Sequence, residues 1–420
     1  MENSKTYPQG GTRAWVVWGL ATLFVVFLFN LQTGYQIINH DLKQDIGLTI
    51  QQIGLIAAVY TWVFALAQLF SGSILDKLGV HKVLPIAILT VTAGAFLLAN
   101  AENFTMVILS QIVLAIGASF GFVGAGFVGG KWFGLAKFGF MFGLVQTISS
   151  LGSLVGGDAL SWAMKSFDWR TIINVIGVFG IVLVIVAFIF IKNREPVKKS
   201  NNNENFFKSV VLKIFTVAKN PQIWLSALIG AALFGSLLCL SVVWGTKIIQ
   251  ANGIDETTAN KLTLLIWLGL AVGAALADKF SNKIHSRKKA IIGLAIGFTL
   301  LFIGLLYLPL SPVLAGIIMF LLGFFNGGHM ISFTMSGEMV SPDDIGTSSA
   351  ITNGTMFLFG GFFIDIPGKI LVEGTNTITN FQHAMLPILI TIIVIIIVNM
   401  IFLKETWQSK TTSGSELNKE

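Results

Sequence analysis

Charge is scarce in this chain of 420 residues, of which only 11% are Asp, Glu, Lys or Arg; an ordinary soluble domain carries about 25%. The shortage excludes a water-soluble protein with two or three cores, which would need far more polar surface to cover them. Cysteine is almost missing as well. The single Cys239 lies in an apolar run, which excludes a disulfide framework and a cysteine-based metal site and leaves it as a small packing residue. No G-x-x-x-x-G-K-[ST] phosphate loop occurs, so nothing supports an ATP-driven pump. No metal-ligand cluster or nucleophile–base constellation is legible either, which argues against an enzyme and implies no metal and no cofactor.

What the chain has instead is apolar length. Hydrophobic residues make up 54%, with 35 Phe and 44 Gly, and glycine is more frequent in membrane helices than in soluble ones. A spanning helix needs about 20 mostly apolar residues. Such runs fall at 14–38, 51–73, 82–100, 104–128, 137–163 and 171–192, and resume at 221–249, 260–280, 288–308, 311–335, 347–371 and 381–404. Arg13 ahead of the first run imitates a secretory signal, but no small-residue cleavage site follows it, so it is read as a first span. The expected protein is an all-α membrane protein with two six-helix halves at 1–192 and 221–420, joined by a linker at 193–220. The linker holds asparagines at 201–203 and the bases Arg194, Lys198, Lys199, Lys208, Lys213 and Lys219. It reads as solvated, with a short interfacial helix around residues 206–217.

The formal charge of +7 does not point to nucleic acid, because the bases sit in short connections and form no basic helical face. They do set an orientation. With the N-terminus cytoplasmic, only Lys43, Lys165, Arg170, Lys247, Lys261 and Lys369 of 27 bases fall on the far side, which places both termini and the linker in the cytoplasm.

The halves also resemble each other. Residues 72–82 read Gly-Ser-Ile-Leu-Asp-Lys-Leu-Gly-Val-His-Lys, and a weaker copy with Asp278-Lys279 follows 202 positions later. At an offset of 207, Gly139 matches Gly346, Gln146 matches Asn353 and Asp158 matches Asp365. Two six-helix repeats with a central site are a recurrent transporter plan. The stretch formed by Gly72, Asp76, Lys77, Gly79, His81 and Lys82 resembles the signature loop of the major facilitator superfamily, with His81 departing from the usual base. In it, Gly72 permits close helix approach and Gly79 a tight turn. Asp76 can bind a neighbouring helix end or a base, as a latch that breaks when the halves rock. Lys131-Trp132-Phe133 with Gly139, the set Glu338, Pro342, Gly346, Thr347 and Asn353, and Asp168-Trp169-Arg170 resemble further connections of that family. The resemblance covers nearly the whole chain. It implies a monomeric secondary transporter for a small molecule, working by alternating access.

Departures from the family pattern narrow the class. Where many members have an arginine six residues before a glycine in span 4, this chain has Gln111 before Gly117. Span 5 has no proline, unlike the drug–proton antiporters of the family. The base that oxalate–formate exchangers need in span 8 is missing between Lys261 and Lys279. Spans 2, 5 and 11 look most like the phagosomal nutrient and amino-acid transporters of intracellular bacteria.

Polar groups inside spans are costly and usually meet a cavity or a partner helix. Asn30 and Tyr35 in span 1 are expected substrate contacts by the family's arrangement, with Gln36 and Asn39 at the outer end. Gln68, Gln111, Gln146 and Asn353 are further cavity candidates, and Tyr60, Trp62, Trp244 and Trp267 could shape it or simply pack. In span 10, Asn326 and His329 are three apart and so share a helical face. His329 either handles substrate or protons or pairs with a backbone carbonyl. In span 11, Asp365, Lys369 and Glu373 stack four apart. Asp365 is expected either to carry a coupling proton or to form a gate with Lys369; Asp158 is its repeat mate. The reading is proton-driven uptake of a small polar or zwitterionic metabolite such as an amino acid across a bacterial inner membrane. An exporter of a drug or siderophore, and a non-transporting receptor or scaffold, are the alternatives. Retention of residues 72–82 speaks against the last.

Overall fold

The computed structural model describes residues 6–48, 50–197, 206–371 and 377–407. Glu373, Lys198 and Lys199 lie outside them, and so do the side chains of Gln32, Thr33, Tyr35, Gln36, Asn39, Lys43 and Asp158. Within the described residues the regular structure is helical, and twelve helices are long and apolar enough to cross a membrane. Lipid leaves an apolar run no other partner for its backbone, so it closes its hydrogen bonds internally as helix.

The elements are α1 (Gly11–Ile46), α2 (Ile50–Leu78), α3 (Val80–Ala99), α4 (Phe104–Ala118), α5 (Gly121–Phe133), α6 (Phe138–Ala163), α7 (Trp169–Phe190) and the short α8 (Phe206–Ala218). There follow α9 (Pro221–Leu238), α10 (Gly245–Gln250), α11 (Glu256–Lys283), α12 (Arg287–Tyr307), α13 (Pro312–Asn326), α14 (His329–Glu338), α15 (Ile345–Ile370) and α16 (Ile378–Phe402). Many starts are written locally. Asn103, Asp168, Asn220, Asp255, Ser286, Ser311 and Thr377 each accept a backbone N–H of the first turn, satisfying a donor that the helix cannot. Pro221 and Pro312 open their helices, where a missing N–H costs nothing. The Asp168 carboxyl is held below its usual range by the hydroxyl and N–H of Thr171, and that of Asp255 by the N–H and hydroxyl of Thr258.

Three spans expected as continuous helices are interrupted. The fourth, Phe104–Phe133, breaks at Ser119 and Phe120. The seventh, Pro221–Gln250, passes through a π-helical turn at Cys239–Trp244. The tenth, Pro312–Glu338, breaks at Gly327 and Gly328. Such turns are often tied to function. The stretch 72–82, expected as a loop, is mostly helix. Gly72 to Leu78 finish α2, and Gly79, at a φ of 75°, makes the whole turn into α3.

The chain forms two compact units, Met1–Lys219 with Pro342–Phe357, and Asn220–Ser341 with Leu358–Glu420. Helix α15 therefore begins in the first and ends in the second. In the first unit α3 packs on α4 and α7, α1 on α5 and α6, and α2 on α4 and α8. In the second, α11 packs closely on α13. There a Cβ on Gly269 or Gly323 would fall 1.9 Å from the carbonyl oxygen of Phe320 or Ile266, so the backbones touch because no side chain intervenes.

Candidate functional site

In the first unit α2 and the start of α15 run antiparallel as a zipper of four tiers. Phe64 meets Phe357, with ring centroids 4.7 Å apart. One turn on, the Asn353 amide nitrogen donates to Gln68 Oε1 at 3.0 Å, and Gln68 donates to Ser71 Oγ at 2.7 Å. Both amides are buried. Next, Gly72 lies against Gly346 and Ala350. The last tier is charged. Asp76 accepts the backbone N–H groups of Gly346 and Thr347 at 3.1 and 3.0 Å and the Thr347 hydroxyl at 2.8 Å. These N–H groups belong to the first turn of α15 and have no intrahelical acceptor, and the helix end is itself weakly positive. Asp76 is thus a helix cap supplied from another helix.

A base completes the arrangement. Lys213 of α8 lies 3.2 Å from Asp76 and 3.1 Å from Asp344, and donates to the Asp343 carbonyl. Lys131 lies 3.7 Å from the Asp343 carboxylate. The linker helix α8 packs on α2. Its Lys213 was one base among several in the sequence, and nothing local marked it. His81 is held by Asn193, whose side chain bonds both its ring and its N–H. Lys77 and Lys82 have no ion pair among the described residues. Lys213→Ala is expected to speed amide hydrogen exchange at Gly346 and Thr347 and to lower transport about tenfold or more, since Asp76 is fully buried and removing one partner of a buried pair costs about 3 kcal/mol or more. Unchanged exchange would remove Lys213 from the latch.

The second unit carries a related network. Arg287, at the start of α12, donates to Asp278 at 3.1 Å, to Ser281, and to Glu338 at 3.1 and 3.3 Å. Asn282 and Thr334 also bond Asp278, and Thr406 bonds Glu338 at 2.6 Å. Asp278 and Glu338 were legible as copies of family positions. Arg287 was missed, although its signal is the basic run Arg287-Lys288-Lys289 nine residues after Asp278.

The remaining candidates are dispersed. Asn30 donates to the Val26 carbonyl at 2.8 Å and fills the space left by Gly156 of α6. Gln146 bonds Ser150 at 3.0 Å. Gln111 is buried and its amide nitrogen has no partner among the described residues. Asn326 donates to the Leu233 carbonyl at 2.6 Å, while its side-chain Oδ1 is buried without a partner among the described residues. His329 donates from Nδ1 to the Asn326 carbonyl at 2.8 Å and lies 4.9 Å from the Phe234 ring. Asn326 and His329 do not share a regular helical face, because Gly327 and Gly328 break the helix between them. Asp365 and Lys369 form an ion pair one turn apart, exposed by 54% and 73%. Nearby, Trp244 donates to the Ile364 carbonyl at 2.9 Å and Lys247 lies 4.8 Å from its ring.

Twelve spans, broken helices within them, and charged latches at span ends define an integral membrane transporter. The chain belongs to the major facilitator superfamily, whose family profile matches residues 18–364. It is a secondary transporter for a small molecule and not an enzyme. It is 22% identical over 406 residues to the uncharacterized transporter YybO of Bacillus subtilis, covering 90% of this chain and 92% of that one. It is 23% identical over 303 residues to a probable sulfoacetate transporter, SauU, of Cupriavidus necator, covering 68% and 70%. The proton:xylose symporter XylE bound to 6-bromo-6-deoxy-D-glucose superposes with a TM-score of 0.69 at 12% identity, covering 94% of this chain and 97% of that one. That likeness is one of fold.

Proposed function

We propose that this transporter takes up a small neutral or zwitterionic metabolite, an amino acid first among them, by alternating access driven by protons. The α2–α15 zipper is its gate at one membrane face. The observation that carries the gate is Asp76, which caps the first turn of a helix 270 positions away in sequence. Such a cap is either made or lost as α15 moves, which suits a two-state element. Each unit has its own candidate substrate contact, Gln111 in the first and Asn326 in the second, because among the described residues each keeps a buried polar atom without a partner and such atoms call for one. Both are amides, which supports an uncharged or zwitterionic cargo.

Asp365 is the proposed proton carrier. Among the described residues the other acids within spans are Asp76, Asp278, Glu338 and Glu256. The first three are held by several bonds each, and Glu256 sits at the first residue of α11. Asp365 has Lys369 as its partner on an open face, and a single exposed pair is worth little. The pair can therefore open during turnover, which frees Asp365 for that role. The proposed setting is a bacterial plasma membrane, with both termini cytoplasmic and the protein a monomer.

The test is uptake into reconstituted vesicles of radiolabelled amino acids and small organic acids, with and without an inward proton gradient. Gradient-driven accumulation of a zwitterion is expected. Asp365→Asn should lose accumulation by about a hundredfold or more, the usual scale for removing a proton-transfer group, yet retain exchange. Accumulation of organic acids alone would establish a second reading, an acid transporter, which the sulfoacetate relative favours. If no panel member accumulates, uptake is refuted and export takes its place.

A further inference from the structure

The second unit carries a surface groove of about 660 Å³ between α12 and the end of α16. One end is basic and polar, with His285, Ser286, Lys288 and Lys289; the rest is apolar, with Ile292, Gly293, Ile296 and Met400. The basic end is electrostatically unusual. Arg287, Lys288 and Lys289 fill the first turn of α12, which holds no acid, although a helix N-terminus carries partial positive charge and disfavours bases. Arg287 is compensated by Asp278 and Glu338. Lys288 and Lys289 have no ion pair among the described residues.

The one carboxylate in the groove, Glu405, is already occupied. It accepts the Ser286 hydroxyl and the N–H groups of Arg287, Lys288, Thr406 and Trp407. Burial pushes its carboxyl up, but the Ser286 hydroxyl and the N–H groups of Trp407, Arg287 and Thr406 outweigh that and hold it below the usual range. The N-terminal end of α12 is thus capped already by Glu405 and Ser286, and what the groove offers a further anion is the pair of ammonium groups of Lys288 and Lys289, which have no ion pair among the described residues.

The apolar floor has a matching gap. A side chain on Gly293 would meet nothing within 4 Å, while Ile296 and Met400 are exposed. Both flanking helices are membrane spans, so hydrocarbon is the medium that reaches this floor. Basic pockets between membrane helices hold lipid headgroups by the same logic.

We infer that this groove binds one anionic glycerophospholipid, with its phosphate between Lys288 and Lys289 and an acyl chain along Gly293, Ile296 and Met400. The inference requires only that the chain is membrane-embedded and does not rest on the proposed cargo, gate or proton carrier.

The test uses the purified full chain in detergent, with native mass spectrometry and thermal unfolding in the presence of phosphatidylglycerol, of phosphatidylcholine with the same chains, or of inorganic phosphate. Phosphatidylglycerol should be retained in preference to phosphatidylcholine and should raise the unfolding temperature. Lys288→Gln with Lys289→Gln should weaken its retention about tenfold or more, the order set by two lysines at a membrane surface. Gly293→Leu should weaken it as well, by filling the acyl track without touching a charge. Equal retention of the two lipids, full retention by both variants, or the same stabilisation from inorganic phosphate alone would each overturn the lipid site.

Discussion

Replacing Gly72 with leucine is expected to reduce uptake to background while the protein still inserts and accumulates in the membrane. A Cβ at Gly72 would fall 1.9 Å from the Gly346 carbonyl oxygen, 2.4 Å from its carbon and 2.7 Å from the Ala350 Cβ. Two of those atoms are backbone, so no rotamer change relieves the clash and α15 must move off α2. That movement breaks the three bonds to Asp76 and the Gln68–Asn353 bond. Hydrogen bonds to a charged group contribute about 1.5–3 kcal/mol each and overpacking costs about 1–3 kcal/mol. The closed gate should thus become about a thousandfold or more less populated, and transport should fall at least about twentyfold, since a cycle cannot turn faster than its rarest state allows. Gly361→Ala is the control, because a Cβ there meets nothing within 4 Å. Uptake normalised to immunoblotted protein, with hydrogen exchange at Gly346 and Thr347, checks both steps. Wild-type uptake in Gly72→Leu would show that closure of the zipper is not part of the transport cycle.

Arg287→Met should be the most destabilising single change in the second unit. The guanidinium is 7% exposed and lies between Asp278 at 4% and Glu338 at 26%. Removing one partner of a buried ion pair costs about 3–5 kcal/mol, because the remaining charge stays buried without compensation; the partial exposure of Glu338 favours the lower end. Adding Asp278→Asn and Glu338→Gln to Arg287→Met should recover most of the loss, since no uncompensated charge then remains. The protein supplies its own probe. Cys239 is its one cysteine and is buried, so a thiol-reactive dye reports unfolding. A single variant that unfolds at the wild-type temperature would refute the account. A triple variant no more stable than the single one would show that packing of the long Arg287 stem, not charge, holds α12 to α11.

The sequence carried the gate in half. Gly72, Asp76 and Gly79 were legible because each answers a local demand: small size at a crossing, a carboxylate beside a helix end, a positive φ at a turn. Thr347, Gly346 and Asn353 were legible as members of a related connection. Their pairing with α2 was not, since nothing local links residue 68 to residue 353. Lys213 was hidden for a similar reason. A base in a basic linker has many possible partners, and only the docking of α8 on α2 selects Asp76. At Asn326 and His329 the three-residue spacing suggested one helical face, and the break that Gly327 and Gly328 make between them was invisible.

By itself, the sequence determined that this is an all-helical membrane protein with twelve spans and the signature residues of the major facilitator superfamily. The helical class and the spans are set by composition over windows of about 20 residues, because lipid offers the backbone no partner but itself; the signature residues were legible by their resemblance to that family. Only the tertiary structure decided which helix end Asp76 caps, which base neutralises it, where Arg287 is buried and which amides keep a free polar atom. Each of those depends on atoms brought within about 3 Å from positions far apart in the chain, and such approach is decided by the packing of whole helices rather than by any local run of residues.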